Sequence, residues 1–226
     1  MSKKTYIILM IRSILGVIIL GLALFWPAGT IFWWEAWAYL IIFLLFFIFY
    51  FSYLYKKDPE LLKKRSERKL KEKWDKIIII FLGLSFTAIF ILPGFDAVRF
   101  QWSEVPLIGE IIGFIGVIFS LAIIFLVMRE NTYLSRVIEI QKERGHKVIT
   151  TGPYRIVRHP MYVGFILYCL FHCLALGSLY SFIPAGFTII SIIIRTHYED
   201  KLLHKELEGY EEYAHETKYK LIPGIW

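Results

Sequence analysis

Six long apolar runs leave this chain few ways to fold. They occupy about residues 6–26, 33–55, 77–92, 106–128, 161–179 and 182–194. A helix needs roughly 20 mostly apolar residues to cross the hydrocarbon core of a bilayer, and a helix satisfies its own backbone polar groups there. The expected fold is therefore all-α: a polytopic integral membrane helical bundle with a small C-terminal region on its cytoplasmic side. The third and sixth runs are short. Either flanking turns extend them, or the last two form a tight re-entrant hairpin, so the pattern predicts about six spans with five as the alternative. The first run is too long for a cleaved leader and no small-residue cleavage pattern follows it, which predicts a membrane anchor. No repeat or low-complexity linker interrupts the 226 residues. The expectation is one domain over 1–226, with N-terminal transmembrane helices in 1–128 and the chemistry in 129–226.

Charge is unevenly spread. Residues 56–76 hold ten basic and five acidic side chains, and residues 129–158 hold seven and three. Lys3, Lys4 and Arg12 add to the N-terminus, whereas the connections near Glu35 and across 93–105 carry one basic residue, Arg99. Lysine and arginine accumulate on the cytoplasmic side of membrane proteins. Both termini, 56–76 and 129–158 are thus predicted to be cytoplasmic, with six crossings between them. The basic run at 56–76 directly follows an apolar span, which favours lipid headgroups or topology setting over nucleic acid. Trp26, Trp33, Trp34, Trp37, Trp74 and Trp226 lie near predicted span ends, as an interfacial belt requires.

Cys169, His172 and Cys173 fall within five residues inside an apolar run. One helical turn does not supply a full tetrahedral ligand set, so polar packing is expected there and no metal site is predicted.

The densest polar cluster is Gly152-Pro153-Tyr154-Arg155-Ile156-Val157-Arg158-His159-Pro160-Met161-Tyr162-Val163-Gly164, at the start of the fifth apolar run. Two arginines and a histidine at a lipid–water boundary are costly, so stability alone does not account for them. Pro153 suits the opening of a short helical segment and Pro160 the first position of the fifth span. Unpaired N–H groups in that first turn, with Arg155 and Arg158, favour an anionic group. Residues 134–144 have the spacing of a short surface-lying helix, broken at Gly145-His146. After the sixth run, Arg195 and Glu199 are four apart and share a helix face. Their order is the reverse of the one that best supports an isolated helix, which weakens a purely structural reading.

No Gly-x-Gly-x-x-Gly fingerprint and no phosphate-binding loop motif is present. The two candidate cytoplasmic segments, 129–159 and 195–226, are about 30 residues each, too short for a doubly wound nucleotide-binding domain. Any cofactor must therefore be held by loops and helix ends at the membrane face, where a second substrate could enter sideways from the lipid.

The stretch from Asn131 to Gly164 carries Ile140-Gln141, Arg144-Gly145-His146-x-Val148, Gly152-Pro153-Tyr154-Arg155 and Arg158-His159-Pro160-x-Tyr162-x-Gly164. Leu176-Gly177-Ser178 follows, then Arg195, Glu199-Asp200, Leu203, Gly209-Tyr210, Tyr213 and Ile222-Pro223. In this order the motifs resemble the isoprenylcysteine carboxyl methyltransferase family, over roughly Asn131 to the C-terminus. The wider superfamily includes phospholipid N-methyltransferases and, more distantly, membrane sterol reductases. The resemblance implies an integral membrane enzyme that uses S-adenosyl-L-methionine and methylates the carboxylate of a prenylated cysteine or another lipid-linked acceptor. It implies cofactor contacts at Gln141, His146, Val148, Tyr154, Arg158, His159, Tyr162 and Glu199, with Arg195 and Glu199 nearest the reacting groups. One departure is visible: the family usually has two glutamates where this chain has Glu199-Asp200. The competing readings are a phospholipid N-methyltransferase, an NADPH-dependent sterol-type reductase using Arg155 and Arg158 for the extra phosphate, and a non-enzymatic lipid-binding protein.

Overall fold

The computed structural model describes residues 3–57, 73–134 and 145–226. Among them the ordered elements are helical: α1 (Lys3–Ala28), α2 (Trp34–Lys57), α3 (Lys73–Pro93), α4 (Leu107–Glu130), α5 (Pro160–Ala175), α6 (Phe182–Glu206) and α7 (Tyr210–Glu216). The six apolar runs correspond to α1–α6, and the protein is a helical membrane bundle. By length and composition, Trp34–Lys57, Asp75–Phe100 and Leu107–Glu130 can each cross a bilayer, while Ile14–Ala28 and Pro160–Ala175 are shorter apolar helices. The sixth run does not stop at residue 194. It continues unbroken to Glu206, carrying Arg195, Glu199 and Asp200 on one rigid rod. The surface helix expected at 134–144 lies outside the described residues except for its first position.

The outside of the bundle is greasy and its inside partly polar. Ile18, Leu45, Phe81, Ile115 and Phe187 are exposed on α1, α2, α3, α4 and α6, as lipid-facing side chains are. Inside, His172 Nδ1 lies 2.7 Å from the Tyr39 hydroxyl and its Nε2 lies 3.0 Å from the Ile89 carbonyl. The carbonyl accepts only, so Nε2 donates and Nδ1 accepts from Tyr39. The Tyr39 hydroxyl also pairs with that of Tyr168. His172 therefore ties α2, α3 and α5 together through hydrogen bonds, the packing role anticipated for it.

Helices α4 and α5 approach most closely, for lack of side chains between them. A Cβ on Gly113 would strike the Ala175 backbone, and one on Gly116 would strike the Phe171 ring. Small residues at a helix interface let backbones come near enough for dense van der Waals packing, the main attraction left where lipid is as apolar as leucine. On the other side, α3 packs along α6, with the Thr188 hydroxyl 2.9 Å from that of Ser85. At one end of the bundle, Asp96 in the π-helical turns Gly94–Phe100 accepts from the Ser103 and Ser178 hydroxyls at 2.7 and 2.6 Å. The Tyr180 N–H donates to the same carboxylate at 3.1 Å, so the turn between α5 and α6 is pinned there. The opposite end gathers Asp75, Glu130, Pro160 and Arg195.

Candidate functional site

Three helices meet at that opposite end: the start of α3, the start of α5 and the charged half of α6. Pro160 occupies the first turn of α5, as its missing N–H allows. Just before it, Gly152–Arg155 forms a 3-10 turn with Pro153 at its opening. The Glu130 carboxylate at the end of α4 accepts from the Thr151 hydroxyl, which docks this turn on the helix.

Two adjacent acids of α6 organise two different polar groups. The first is built on Glu199. The Tyr162 hydroxyl donates to Glu199 Oε2 at 2.5 Å. One turn earlier on the same face of α6, the Arg195 guanidinium carbon sits 5.9 Å from the centre of the Tyr162 ring. Arg195 donates from Nε to Asp75 Oδ1 at 2.9 Å and from Nη2 to Asp75 Oδ2 at 3.4 Å. Asp75, in the first turn of α3, is almost fully buried. The order in space is thus Asp75, Arg195, Tyr162, Glu199, with the His159 ring stacked 6.0 Å beyond Tyr162. Burial alone would lower the Arg195 pKa, but the neighbouring Tyr162, Glu199 and Asp75 hold it above its ordinary value. It stays a cation.

The second group is built on Asp200, which is buried. Its Oδ1 accepts from Arg158 Nε at 2.9 Å, from the Tyr210 hydroxyl at 2.9 Å and from His159 Nε2 at 3.1 Å. Its Oδ2 accepts from Arg158 Nη2 at 3.2 Å and pairs with Lys220 Nζ at 3.2 Å. Burial would raise the Asp200 carboxyl, but hydrogen bonds and charge from His159 and Arg158 hold it well below the usual carboxylate range. An ionised carboxylate only accepts, so His159 carries its proton on Nε2. Arg158 also donates from Nη1 to the carbonyls of Thr217 and Lys218, at 2.9 and 2.8 Å. The N–H groups of Arg158 and His159 bond the carbonyls of Tyr219 and Lys220. Together these contacts clasp the C-terminal tail against the start of α5.

The sequence-predicted residues divide between these groups and their surroundings. Arg195, Glu199 and Tyr162 lie together. Arg158 and His159 belong to the clasp, although His159 touches both groups through its ring. Tyr154 and Val148 lie in an apolar cluster with Val127, Leu207, Tyr210 and Tyr213. The Tyr154 hydroxyl accepts from Asn131 at 2.7 Å and its carbonyl accepts from the Tyr213 hydroxyl at 2.7 Å. His146 stacks on Tyr133 with ring centres 4.5 Å apart. Gln141 lies outside the described residues. Asp75, Tyr210 and Lys220 were not anticipated. Asp75 had a legible sign: an arginine at the boundary of an apolar run calls for an anion, and Asp75 is the last acid before the third run.

Chemically, the Glu199 group offers a carboxylate oriented by a phenol, beside aromatic faces and a held cation. A carboxylate against aromatic rings suits a positively charged ligand group, because ring faces and carboxylates both attract cations.

A family model described as phospholipid methyltransferase matches residues 105–208. The match runs from the start of α4 to just past the end of α6, so it includes Tyr162, Arg195, Glu199 and Asp200 but ends before the tail and begins after Asp75. No curated protein matches the chain. By fold this is a helical bundle of the membrane, and from α4 to α6 it is similar to a family of membrane methyltransferases.

Proposed function

We propose that this protein is an S-adenosyl-L-methionine-dependent methyltransferase that modifies the amine of a membrane phospholipid at the cytoplasmic leaflet. The observation that carries the reading is the Tyr162–Glu199 pair on the helices that match the phospholipid methyltransferase model. The donor supplies an electrophilic methyl group on a sulfonium. Glu199 accepts a proton from the acceptor's ammonium, which frees the nitrogen lone pair. Tyr162 fixes the carboxylate so that it is aimed before the acceptor arrives. General base catalysis of this kind contributes about 10²–10⁴-fold when the base is within hydrogen-bond reach. By resemblance, His159 and Tyr162 contact the donor, as do His146, Val148 and Tyr154. Gln141 is the remaining contact implied by resemblance.

Charge favours the amine. Asp75 and Glu199 carry two negative charges and Arg195 one positive, so the group as a whole is acidic. An ammonium is drawn to it, whereas a carboxylate must compete with Asp75 for Arg195. The motif order from Asn131 to Pro223 supports a second reading, methyl transfer to an isoprenylcysteine-like carboxylate held by Arg195. That nucleophile is already ionised and needs positioning and dehydration rather than a base.

Purified protein in detergent tests the class and the acceptor together. S-Adenosylhomocysteine should raise the melting temperature and NADPH should not. Labelled methyl should then appear in phosphatidylethanolamine vesicles and not in a farnesylcysteine mimic. Stabilisation by NADPH alone contradicts the methyltransferase reading. Label in the farnesylcysteine mimic alone replaces the amine with the carboxylate.

A further inference from the structure

We propose that Asp75 is a positioning residue of the methyl-transfer site, acting through Arg195 to keep the Glu199 carboxylate available as a base. The inference rests on the reading of Glu199 given above.

Asp75 lies outside the stretch that matches the family model, between Lys73 and Lys76 in the first turn of a helix that turns apolar after them. It is 2% exposed and holds Arg195 through two nitrogen–oxygen contacts at 2.9 and 3.4 Å. The Arg195 side chain is itself only 12% exposed. Stability gives a weak reason for such a pair, because the cost of removing both charges from water largely offsets their attraction. Geometry gives a better one. Arg195 and Glu199 are one turn apart on the same face of α6, a spacing at which their side chains reach each other. At that spacing the guanidinium can close onto Glu199 and neutralise it. Asp75 draws the guanidinium toward α3 instead. The Tyr162 ring, 5.9 Å from the guanidinium carbon, stands beside the cation and donates its hydroxyl to Glu199. The planar fork of arginine is fixed by two parallel hydrogen bonds as a lysine would not be. Glu199 is then left with one described hydrogen-bond donor, the phenol, and keeps a basic oxygen for the acceptor's proton.

The charge sign makes the idea testable. Asp75→Asn removes one negative charge and weakens the two-point hold on Arg195, which favours its approach to Glu199. Both effects make Glu199 more acidic, so the acid limb of the kcat profile should move to lower pH. Turnover should fall by about tenfold or more, as expected when a reacting group loses its orientation. The measurement uses the full chain, tritiated S-adenosyl-L-methionine and phosphatidylethanolamine vesicles, with S-adenosylhomocysteine affinity determined in parallel. A lower kcat, a shifted acid limb and an unchanged S-adenosylhomocysteine affinity support the proposal. Asp75→Glu keeps the charge and should restore the position of the acid limb while kcat stays below wild type. A folded Asp75→Asn protein with unchanged kcat overturns it. So does a loss of kcat that merely follows a loss of donor affinity, with no movement of the profile. Where Asp75→Asn does not fold, Asp75→Glu decides: reduced kcat with an unmoved acid limb supports the proposal, and wild-type kcat overturns it. Wild-type protein that leaves the vesicles unlabelled fails the underlying amine reading instead, whatever the variants do.

Discussion

Glu199 and Asp200 are neighbours on one helix, yet the structure treats them as opposites. Asp200 is buried and accepts from Arg158, His159 and Tyr210 while pairing with Lys220. Glu199 is half-buried and its described donor is Tyr162. A carboxylate whose lone pairs are filled by fixed donors is a fastener. One that keeps an accessible oxygen retains capacity for a ligand or a proton. The shorter side chain at position 200 suits the first role, since it keeps the charge close to the helix where Arg158 reaches it with two nitrogens. The longer side chain at 199 suits the second.

The difference predicts separable losses. The largest is in turnover: Glu199→Gln should lower kcat by about 10²–10⁴-fold, the usual contribution of a positioned base, while melting changes little. Asp200→Ala should do the reverse first, costing about 3–5 kcal/mol of stability because the buried Arg158 cation loses its carboxylate partner. Denaturation in detergent checks both. The same pairing sets a pH dependence. The folded-state pKa of Asp200 is depressed, so its stabilisation is fully present above the unfolded value of about 3.9 and is lost as pH falls below it. Melting temperature should therefore drop more steeply below that pH in wild type than in Asp200→Asn. A smaller effect is expected away from both acids: Gly116→Ala, against the Phe171 ring, should cost about 1–3 kcal/mol by overpacking α4 on α5. The smallest is Lys220→Ala. The partly exposed Lys220 side chain makes one contact with Asp200, and its loss should cost about 1 kcal/mol or less. A Lys220 variant as damaging as Asp200→Ala would mean that the tail, rather than Arg158, bears the clasp.

Much of the scaffold was readable from hydropathy, because lipid imposes a length and an apolar composition on each span. The run at 106–128 became α4 at Leu107–Glu130, and Pro160 opens α5 as its chemistry requires. Helix α7 was missed: Tyr210–Glu216 is seven residues rich in charge, with no apolar stripe long enough to see. Gly209, at a φ of +80°, marks the break that separates it from α6. The closeness of candidate residues near each other in sequence was legible as well. Arg195 and Glu199 are one helical turn apart, and their shared face follows from the helix period. What periodicity does not carry is pairing between distant helices. Asp75 and Arg195 are 120 positions apart and meet only because α3 packs along α6. The partners of Asp200 come from three further places, the start of α5, the start of α7 and the tail, and no local pattern announces such convergence. The departure at position 200 was visible as a substitution, but its meaning needed Arg158 in three dimensions.

Parallel assays of Glu199→Gln and Asp200→Asn, each read for methyl transfer to phosphatidylethanolamine and for melting temperature, address the division most directly. Glu199→Gln should melt like wild type and transfer almost no methyl, while Asp200→Asn should melt markedly lower and retain transfer at temperatures where it remains folded. A Glu199→Gln protein with full transfer, or an Asp200→Asn protein as stable as wild type but inactive, would contradict the assignment of chemistry to one acid and fastening to the other.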